Sequence, residues 1–317
     1  MFLTQNNNSY SELPLVSIVT PSYNQGKFIR ATIDSVLNQD YTNIEYIVVD
    51  GGSTDETLEI LKEYGDKIKW VSEPDKGQAD AVNKGISSAN GDIIGWLNSD
   101  DTYIGNSISL MVQYFLDDPS VQMIYGQGVY TDKKGDKICD YPTEDFSEAR
   151  LAEICYICQP TAFFKKEAAI RCGLLDVNCD MCMDYDLWLR MVNKGVKVKC
   201  VADYIATSRT YKENKTSTRQ IDSCREACGL IYKYYRYVPI GWIYGYSKEL
   251  QKKQRQIKFI RYIYLGLLFI KFNYRRLPFA VYKALDEVYR KTKEANDIKL
   301  LRRTIAGVIE SGKTKTQ

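Results

Sequence analysis

The sequence predicts an α/β fold whose core is a parallel sheet covered by helices, and three observations carry that expectation. Short apolar runs alternate with amphipathic helical stretches through the first hundred residues, the β-α-β-α order that builds a parallel sheet with helices on both faces. At 317 residues, 44% hydrophobic and 26% charged, the chain has material for one large domain or two smaller ones. Five mostly apolar residues, Ile93 to Leu97, run straight into the polar, acidic corner Asn98-Ser99-Asp100-Asp101, as a strand buried on both faces does where it ends. In such sheets ligands bind beyond the carboxyl ends of the strands. The corners after successive strands should therefore share one rim.

Leu15 to Thr20 reads as the first strand, stopped by Pro21 and followed by a polar turn, Ser22 to Gly26. The apolar stripe Phe28, Ile29, Ile33, Val36 and Leu37 predicts a helix. Ile44 to Val49 is the second strand, ending at Asp50-Gly51-Gly52. Ser53-Thr54-Asp55-Glu56 has the form of a capping box opening a helix to about Tyr64. Ile68 to Ser72 is a third, shorter strand; Lys76-Gly77-Gln78 opens a helix over Ala79 to Ser88, and the strand Asp92 to Asn98 follows. The glycines at 51, 52 and 77 allow close backbone approach or positive φ, but form neither a Walker pattern nor a dinucleotide fingerprint. Further on, Met123 to Gly126 reads as a strand, Val129 to Cys139 as a hairpin turning at Lys133 to Asp136, and Gln159 to Phe164 as an extended segment with Pro160 at an edge or turn. Leu187, Met191 and Val192 give the stretch after Met183 a helical apolar face. Asp184 then falls near a helix N-terminus, either as a working carboxylate favoured by the dipole or simply as the N-cap.

The chain has no histidine, which excludes Ser-His and Cys-His nucleophiles and His-ligated metals. Acid–base work falls to carboxylates, Tyr, Lys or Cys. The adjacent carboxylates Asp100 and Asp101 are costly at the end of a buried strand unless something cationic holds them. A hard divalent ion bridging carboxylates and substrate phosphates is the usual answer; the plainer alternative is an acidic turn capping a helix from about Thr102. Nine cysteines, with no secretory signal visible in Met1 to Glu12, speak against a disulfide framework. Cys155-x-x-Cys158 and Cys179-x-x-Cys182, with twenty residues between the pairs, approach zinc-ribbon spacing. They lack the Gly-rich turn of a zinc knuckle, so they read as small core residues, and no stoichiometric zinc is expected.

The net charge of +3 hides an asymmetry: from Lys248 onward there are 18 Lys+Arg against 6 Asp+Glu, a balance of +12. A mildly acidic body thus carries a basic tail, which suggests an anionic surface as partner. Arg219 to Tyr237 predicts an amphipathic helix with Ile221, Cys224, Cys228, Ile231 and Tyr235 on one face. Gln254 to Phe272 predicts another, whose apolar centre, Tyr262 to Ile270, is too short to span a bilayer but suits a helix lying among headgroups, or one packed on the body or in a homodimer interface. Leu277 to Ile309 adds more basic helix. No run of eighteen apolar residues occurs, so no ordinary membrane span is expected and an intracellular enzyme is the default.

Four blocks together resemble glycosyltransferase family 2, the inverting transferases with the GT-A nucleotide-binding fold. They are Val16 to Asn24, Ile47 to Asp55, Trp96 to Asp101 and Met183 to Arg190, with smaller matches at Asp75 to Ala81 and Gln159 to Thr161. The resemblance implies a Rossmann-like GT-A domain with a mixed central sheet over residues 14–217, between an extended or disordered N-terminus (1–13) and a basic helical region (218–317). It implies that Pro21 and Tyr23 line the base pocket, that Asp50 sits on the nucleotide rim, and that Asp75 and Gln78 lie near the ribose or donor sugar. Asn98 stands at the first position of the acidic motif. Asp100 and Asp101 match the residues that hold Mn²⁺ or Mg²⁺ on the diphosphate, and Asp184 matches the general base that deprotonates the acceptor hydroxyl.

The partners implied are a nucleotide-diphosphate sugar, a UDP-sugar in first place, and a glycan or lipid-linked acceptor of cell-surface polysaccharide synthesis. The enzyme would work in the cytoplasm, peripherally on the inner membrane face, and without nucleic acid. Three departures stand out: Gly51 replaces a second Asp, Asn98 replaces the first Asp of the metal motif, and Tyr211 stands about where many relatives carry a His. They motivate a second reading, a catalytically impaired nucleotide-sugar-binding or scaffolding homologue. A nucleotidyltransferase is disfavoured by the lack of a Gly-rich N-terminal loop with a basic residue.

Overall fold

The computed structural model describes residues 13–254, 268, 269 and 273, and the chain divides into two compact units, Met1–Glu226 and Ala227–Gln317. The division falls nine residues beyond the expected one at 217/218, inside a helix. In the first unit β1 (Val16–Ser22), α1 (Gly26–Leu37), β2 (Ile44–Asp50), α2 (Thr57–Glu63), β3 (Lys69–Ser72), α3 (Gln78–Ser88) and β4 (Ile93–Trp96) follow the predicted alternation. Then come β5 (Thr102–Tyr103), α4 (Ser107–Asp117), β6 (Met123–Thr131), β7 (Lys137–Asp140), α5 (Glu148–Glu153), a 3₁₀ turn (Gln159–Thr161), β8 (Phe163–Lys165), α6 (Lys166–Cys172), α7 (Met183–Asn193), β9 (Val198–Arg209) and α8 (Lys215–Thr218). α9 (Gln220–Tyr235) begins in this unit, and α10 (Ile240–Gln254) lies in the second.

The described strands form one mixed sheet in the order β3-β2-β1-β4-β8-β6-β9-β5, with β7 hairpinned onto β6. β1 pairs in parallel with β2 (Val16 opposite Ile44) and with β4 (Val16 opposite Ile93), so the ends of these strands make one rim. β8 runs antiparallel between β4 and β6, and β6 is parallel to β9. Every residue of β1 and β4 is buried, which is why both read as near-continuous apolar runs. Val16, Ile18, Ile29, Ile33, Val48, Leu61 and Ile93 form the heart of the core under α1 and α2.

Three local expectations are corrected. β1 does not stop at Pro21 but continues to Ser22, with Pro21 opposite Val49. β4 pairs with β1 only as far as Val19, so the missing N–H of Pro21 costs no bond on that side. The capping box does not form: the Ser53 hydroxyl donates to Asp50, and Asp55 instead accepts from the Thr57 N–H at 3.1 Å and the Gly26 N–H at 3.0 Å, tying the starts of α1 and α2 together. No helix starts at Thr102; that residue opens β5, so the acidic corner is not a helix cap. In the second unit Ala227, Cys228, Leu230 and Ile231 are the buried face of α9, and Asn273 clamps the Val238 backbone through both its amide atoms (2.8 and 3.2 Å). Among the described residues no helix is long and apolar enough to cross a membrane. The N-terminal segment to residue 12, most of the apolar stretch Tyr262 to Ile270 and all of Leu277 to Ile309 lie outside the described residues.

At the end of the sheet opposite the rim, Glu45 is 8% exposed. Its carboxylate accepts from the Ser17 hydroxyl (2.6 Å), the Asn90 N–H (2.7 Å), the Asn90 side-chain amide (2.6 Å) and Lys69 (2.7 Å). Burial alone would raise its pKa, but these donors outweigh burial and hold it at about 2, against an ordinary 4.5. A depressed folded-state pKa gives stability that is complete above the unfolded value and is lost as pH falls from about 4.5 towards 2. Glu45→Gln should therefore cost on the order of 3 kcal/mol at neutral pH and flatten the acid limb of the stability curve. Urea unfolding of wild type and variant between pH 7 and 3 checks this; parallel curves would rule it out.

Candidate active site

The rim begins where β1 ends. Tyr23 is 62% exposed there, its ring left open to solvent, while Pro21 is buried. Asn24 turns the chain with φ 53°, a left-handed conformation that Asn tolerates better than most residues. Its N–H donates to the Ser53 hydroxyl at 2.7 Å and its side-chain oxygen accepts from the Thr54 N–H at 2.9 Å, locking the loop after β1 to the loop after β2. Asp50, at the end of β2, is fully buried. Its carboxylate accepts from the N–H groups of Gly52 and Ser53 and from the hydroxyls of Ser53 and Ser72 (2.5–3.1 Å). Asp50 therefore stands at the rim with its oxygens met by these four donors. A Cβ on Gly51 would come within 2.8 Å of Asp75 Oδ2. The absence of a side chain at 51 makes room for the Asp75 carboxylate, whose other oxygen accepts from the Gly77 N–H at 2.7 Å.

Asn98 is the hub of the next corner. Its side-chain oxygen accepts from Gln78 Nε2 (2.8 Å) and Trp96 Nε1 (2.9 Å), and its nitrogen donates to Gln159 Oε1 (2.8 Å) and, more weakly, to Asp101 Oδ2 (3.4 Å). An aspartate at 98 could not donate to Gln159 or Asp101, so the amide fits this network where a carboxylate would not. Gln159 in turn donates to the Trp96 carbonyl at 2.6 Å.

Asp101 is buried, its Oδ1 accepting from the Arg209 N–H at 2.8 Å. Asp100 is half-buried, and its Oδ2 accepts from the Tyr211 hydroxyl at 2.9 Å. The Arg209 guanidinium is turned to the carbonyls of Asp100 (2.8 Å) and Lys133 (2.9 Å) and lies 5.1 Å over the Phe28 ring, which also packs on Tyr211 at 4.9 Å. Among the described residues no lysine or arginine forms an ion pair with Asp100 or Asp101. Burial raises the pKa of both, Asp100 raises that of Asp101 further, and the nearby Arg209 charge works the other way on each. Two crowded carboxylates met by an amide, a phenol and a backbone N–H are a donor set that fits a divalent cation, with Asp100 offering the freer oxygen. One or two carboxylates completed by substrate phosphates is the ordinary manner of holding Mg²⁺. Among the described residues no group of three or more acidic or cysteine side chains is arranged to hold a metal alone.

Asp184 lies in the first turn of α7, two residues past the N-cap position, which is Cys182; it is not the cap. It is half-buried, and burial raises its pKa against the lowering effect of the Tyr185 and Asp184 N–H groups, with Glu226 adding a smaller rise. Asp186, two residues on, is fully buried and held by Arg190 at 2.6 and 2.8 Å. Burial also raises the pKa of Cys158, and the charges of Asp101 and Asp184 each add to it. One buried thiol thus lies near both carboxylates, so the acidic corner and the start of α7 are neighbours in the fold. Cys155 faces Asp184 as well, and all nine cysteines are free thiols.

Sequence reasoning placed Gln159 and Tyr211 in motifs but not in these bonds, and it missed Arg209 as a holder of the corner and Glu226 altogether. Arg209 and Tyr211 lie at and just beyond the end of β9, a strand whose mixed polar and apolar residues gave no strand signal.

The chain matches the family described as glycosyl transferase family 2 over residues 17–188. It is 33% identical over 224 residues to an uncharacterized glycosyltransferase of Rickettsia typhi, with 67% of this chain and 68% of that protein covered. A Rickettsia prowazekii relative is 35% identical over 196 residues, and there the chain spans 59% of the relative's length. With the chondroitin synthase of Escherichia coli it shares 30% identity over 218 residues, spanning 31% of that longer protein. Among solved structures, the mannosyltransferase PcManGT from Pyrobaculum calidifontis, in complex with GDP-Man and Mn²⁺, superposes with a TM-score of 0.58 at 19% identity, covering 95% of this chain and 81% of that one. S. aureus TarS 1–349 in complex with UDP-GlcNAc superposes at 0.56 and 16%, covering 75% and 72%. At those identities the structural matches speak for the fold alone, the GT-A glycosyltransferase fold. The family match and the Rickettsia typhi relative carry the assignment itself: the chain belongs to glycosyl transferase family 2.

Proposed function

We propose that the protein is an inverting glycosyltransferase that moves a sugar from a nucleoside diphosphate to a hydroxyl of a glycan or lipid-linked glycan, in the synthesis of a cell-surface polysaccharide. The observation that carries this is an acidic corner, Asp100 and Asp101, with which no lysine or arginine forms an ion pair among the described residues, together with a separate, half-buried carboxylate at a helix start, Asp184. Asp100, supported by Asp101, would hold Mn²⁺ or Mg²⁺ against the diphosphate. The cation supplies charge neutralisation for the leaving nucleoside diphosphate. Tyr23 offers its exposed ring to the base, and Asp75 and Gln78 border the ribose and donor sugar. Asp184 accepts the proton of the incoming hydroxyl as oxygen attacks the anomeric carbon and the bond to the diphosphate breaks. A single displacement of this kind inverts that carbon.

Against the impaired-homologue reading, each departure is accommodated locally: Gly51 admits Asp75, Asn98 joins four partners, and Tyr211 donates to Asp100. Thermal unfolding with UDP, GDP, UDP-GlcNAc and GDP-mannose, each with and without Mn²⁺, tests the proposal. A matching nucleotide at a hundred times its Kd adds about 2.7 kcal/mol, a rise of roughly 5–10 °C for a domain of this size, and only with the metal. No rise with any of the four would sink it.

A further inference from the structure

α7 carries Asp184 in its first turn, and the loop that delivers it is held by a residue far along the chain. Glu226, on α9, accepts from three successive backbone N–H groups just before the helix: Asp180 at 2.8 Å on Oε1, and Met181 and Cys182 at 2.6 Å each on Oε2. Converging main-chain N–H groups of this kind form an anion-binding concavity. The neighbouring segment secures the same loop. Lys215 donates to the Asp180 carbonyl and carboxylate at 2.6 Å, Arg219 pairs with that carboxylate, and the Cys182 thiol approaches the Ser223 carbonyl at 3.5 Å.

We propose that Glu226 is a positioning residue for the reaction: its carboxylate fixes the loop that presents Asp184 and offsets the positive field at the start of α7, making Asp184 a stronger proton acceptor. This rests on the reading of Asp184 as the general base.

The N-terminus of a helix carries roughly half a positive charge, which favours the ionised form of a first-turn carboxylate and so weakens it as a base. A base works best when its pKa lies near the working pH. An anion seated in the N–H groups at that terminus pushes the other way. Besides Glu226, the titratable groups seen to interact with Asp184 among the described residues are Tyr141 from the segment after β7, Cys155 and Cys158 from the segment before β8, and Cys182 at the start of its own helix. Burial raises the pKa of each of those four, so they stand neutral. For Asp184 burial is the largest influence and raises its pKa, the backbone N–H groups of Tyr185 and Asp184 lower it, and Glu226 adds a smaller rise.

The test is a ¹³C NMR titration of the full chain labelled at aspartate Cγ, with the Asp184 resonance assigned by its disappearance in Asp184→Asn. In wild type its midpoint should lie above the ordinary aspartate range. In Glu226→Gln, which keeps the size and one acceptor oxygen but removes the charge, it should fall while staying above that range, because burial is the larger cause. Glu226→Asp, which keeps the charge, should stay near wild type. In turnover, Glu226→Gln should lower the plateau about three- to tenfold and move the acid limb to lower pH. An Asp184 midpoint unchanged in Glu226→Gln would make Glu226 a loop cap and nothing more. A wild-type midpoint at or below the ordinary range would overturn the proposal even if the variant failed to fold. The titration needs no substrate, so it stands apart from the base assignment, which fails separately if Asp184→Asn keeps its turnover.

Discussion

Asp184→Asn should lower turnover by about 10²–10⁴, the usual contribution of a general base, while nucleoside diphosphate binding stays near wild type. Asparagine keeps the shape and the place in the first turn of α7, but it cannot take the proton of the acceptor hydroxyl. The control is the carboxylate two residues on. Asp186 is fully buried against Arg190, which also donates to the Cys172 carbonyl at 2.5 Å. Asp186→Asn leaves that guanidinium half-compensated in the interior, so it should cost about 3–5 kcal/mol of stability, with turnover per folded molecule little changed. The two aspartates therefore separate by readout, kcat for one and urea midpoint for the other. If Asp186→Asn is the folded but inactive variant and Asp184→Asn is active, the base has been assigned to the wrong residue. The pH profile gives a further check. Burial and Glu226 raise the pKa of Asp184, so the base becomes protonated, and activity falls, at a higher pH than an ordinary aspartate would give. That acid limb should vanish in the residual activity of Asp184→Asn.

The half of the fold written in local pattern was legible, and the half written in long-range pairing was not. β1, β2 and β4 are buried along nearly their whole length, so their apolar runs announced them, and their parallel order followed from the helices between. β9 is twelve residues long, yet Lys199, Asp203, Ser208 and Arg209 interrupt any alternation. It is a strand because β6 pairs with it in parallel and β5 from the other side, a tertiary cause that overrides local propensity. The candidate site divides in the same manner. Asp100, Asp101 and Asp184 were visible as carboxylates at element ends. What orients them comes from 108 and 111 residues downstream for the acidic corner, and from 44–46 residues downstream for the loop before α7. Asp50 shows the reverse limit: the motif located it at the rim, but only the four donors around it reveal that its oxygens face inward.

Asp100→Ala should abolish activity and remove the Mn²⁺ dependence of nucleoside diphosphate binding. Of the two neighbouring acids, Asp101 has one oxygen on the Arg209 N–H at 2.8 Å and the other facing Asn98, whereas Asp100 gives a single oxygen to the Tyr211 hydroxyl and is less buried. Asp100 is thus the carboxylate better able to reach a ligand, and Asp101 the one that anchors β9 beneath it. Removing Asp100 leaves the diphosphate without the counter-charge that makes it a leaving group, a loss of several kcal/mol of transition-state stabilisation, or roughly 10³-fold or more in turnover. The alanine should be tolerated by the fold, because burial disfavours the charge of Asp100 in the folded protein and the Tyr211 ring remains packed on Phe28. Asp101→Ala should behave differently: it strips the acceptor from a buried Arg209 N–H, at a cost of about 1–3 kcal/mol of stability. Isothermal titration of UDP and GDP into wild type and Asp100→Ala, with Mn²⁺ and with chelator, reads the binding half of the prediction without any acceptor. Wild type should bind its nucleotide tightly only with the metal, and Asp100→Ala should bind weakly and equally in both buffers. Metal-dependent binding that survives in Asp100→Ala would remove Asp100 from the cation's ligands and transfer that role to Asp101 or to a residue outside this corner.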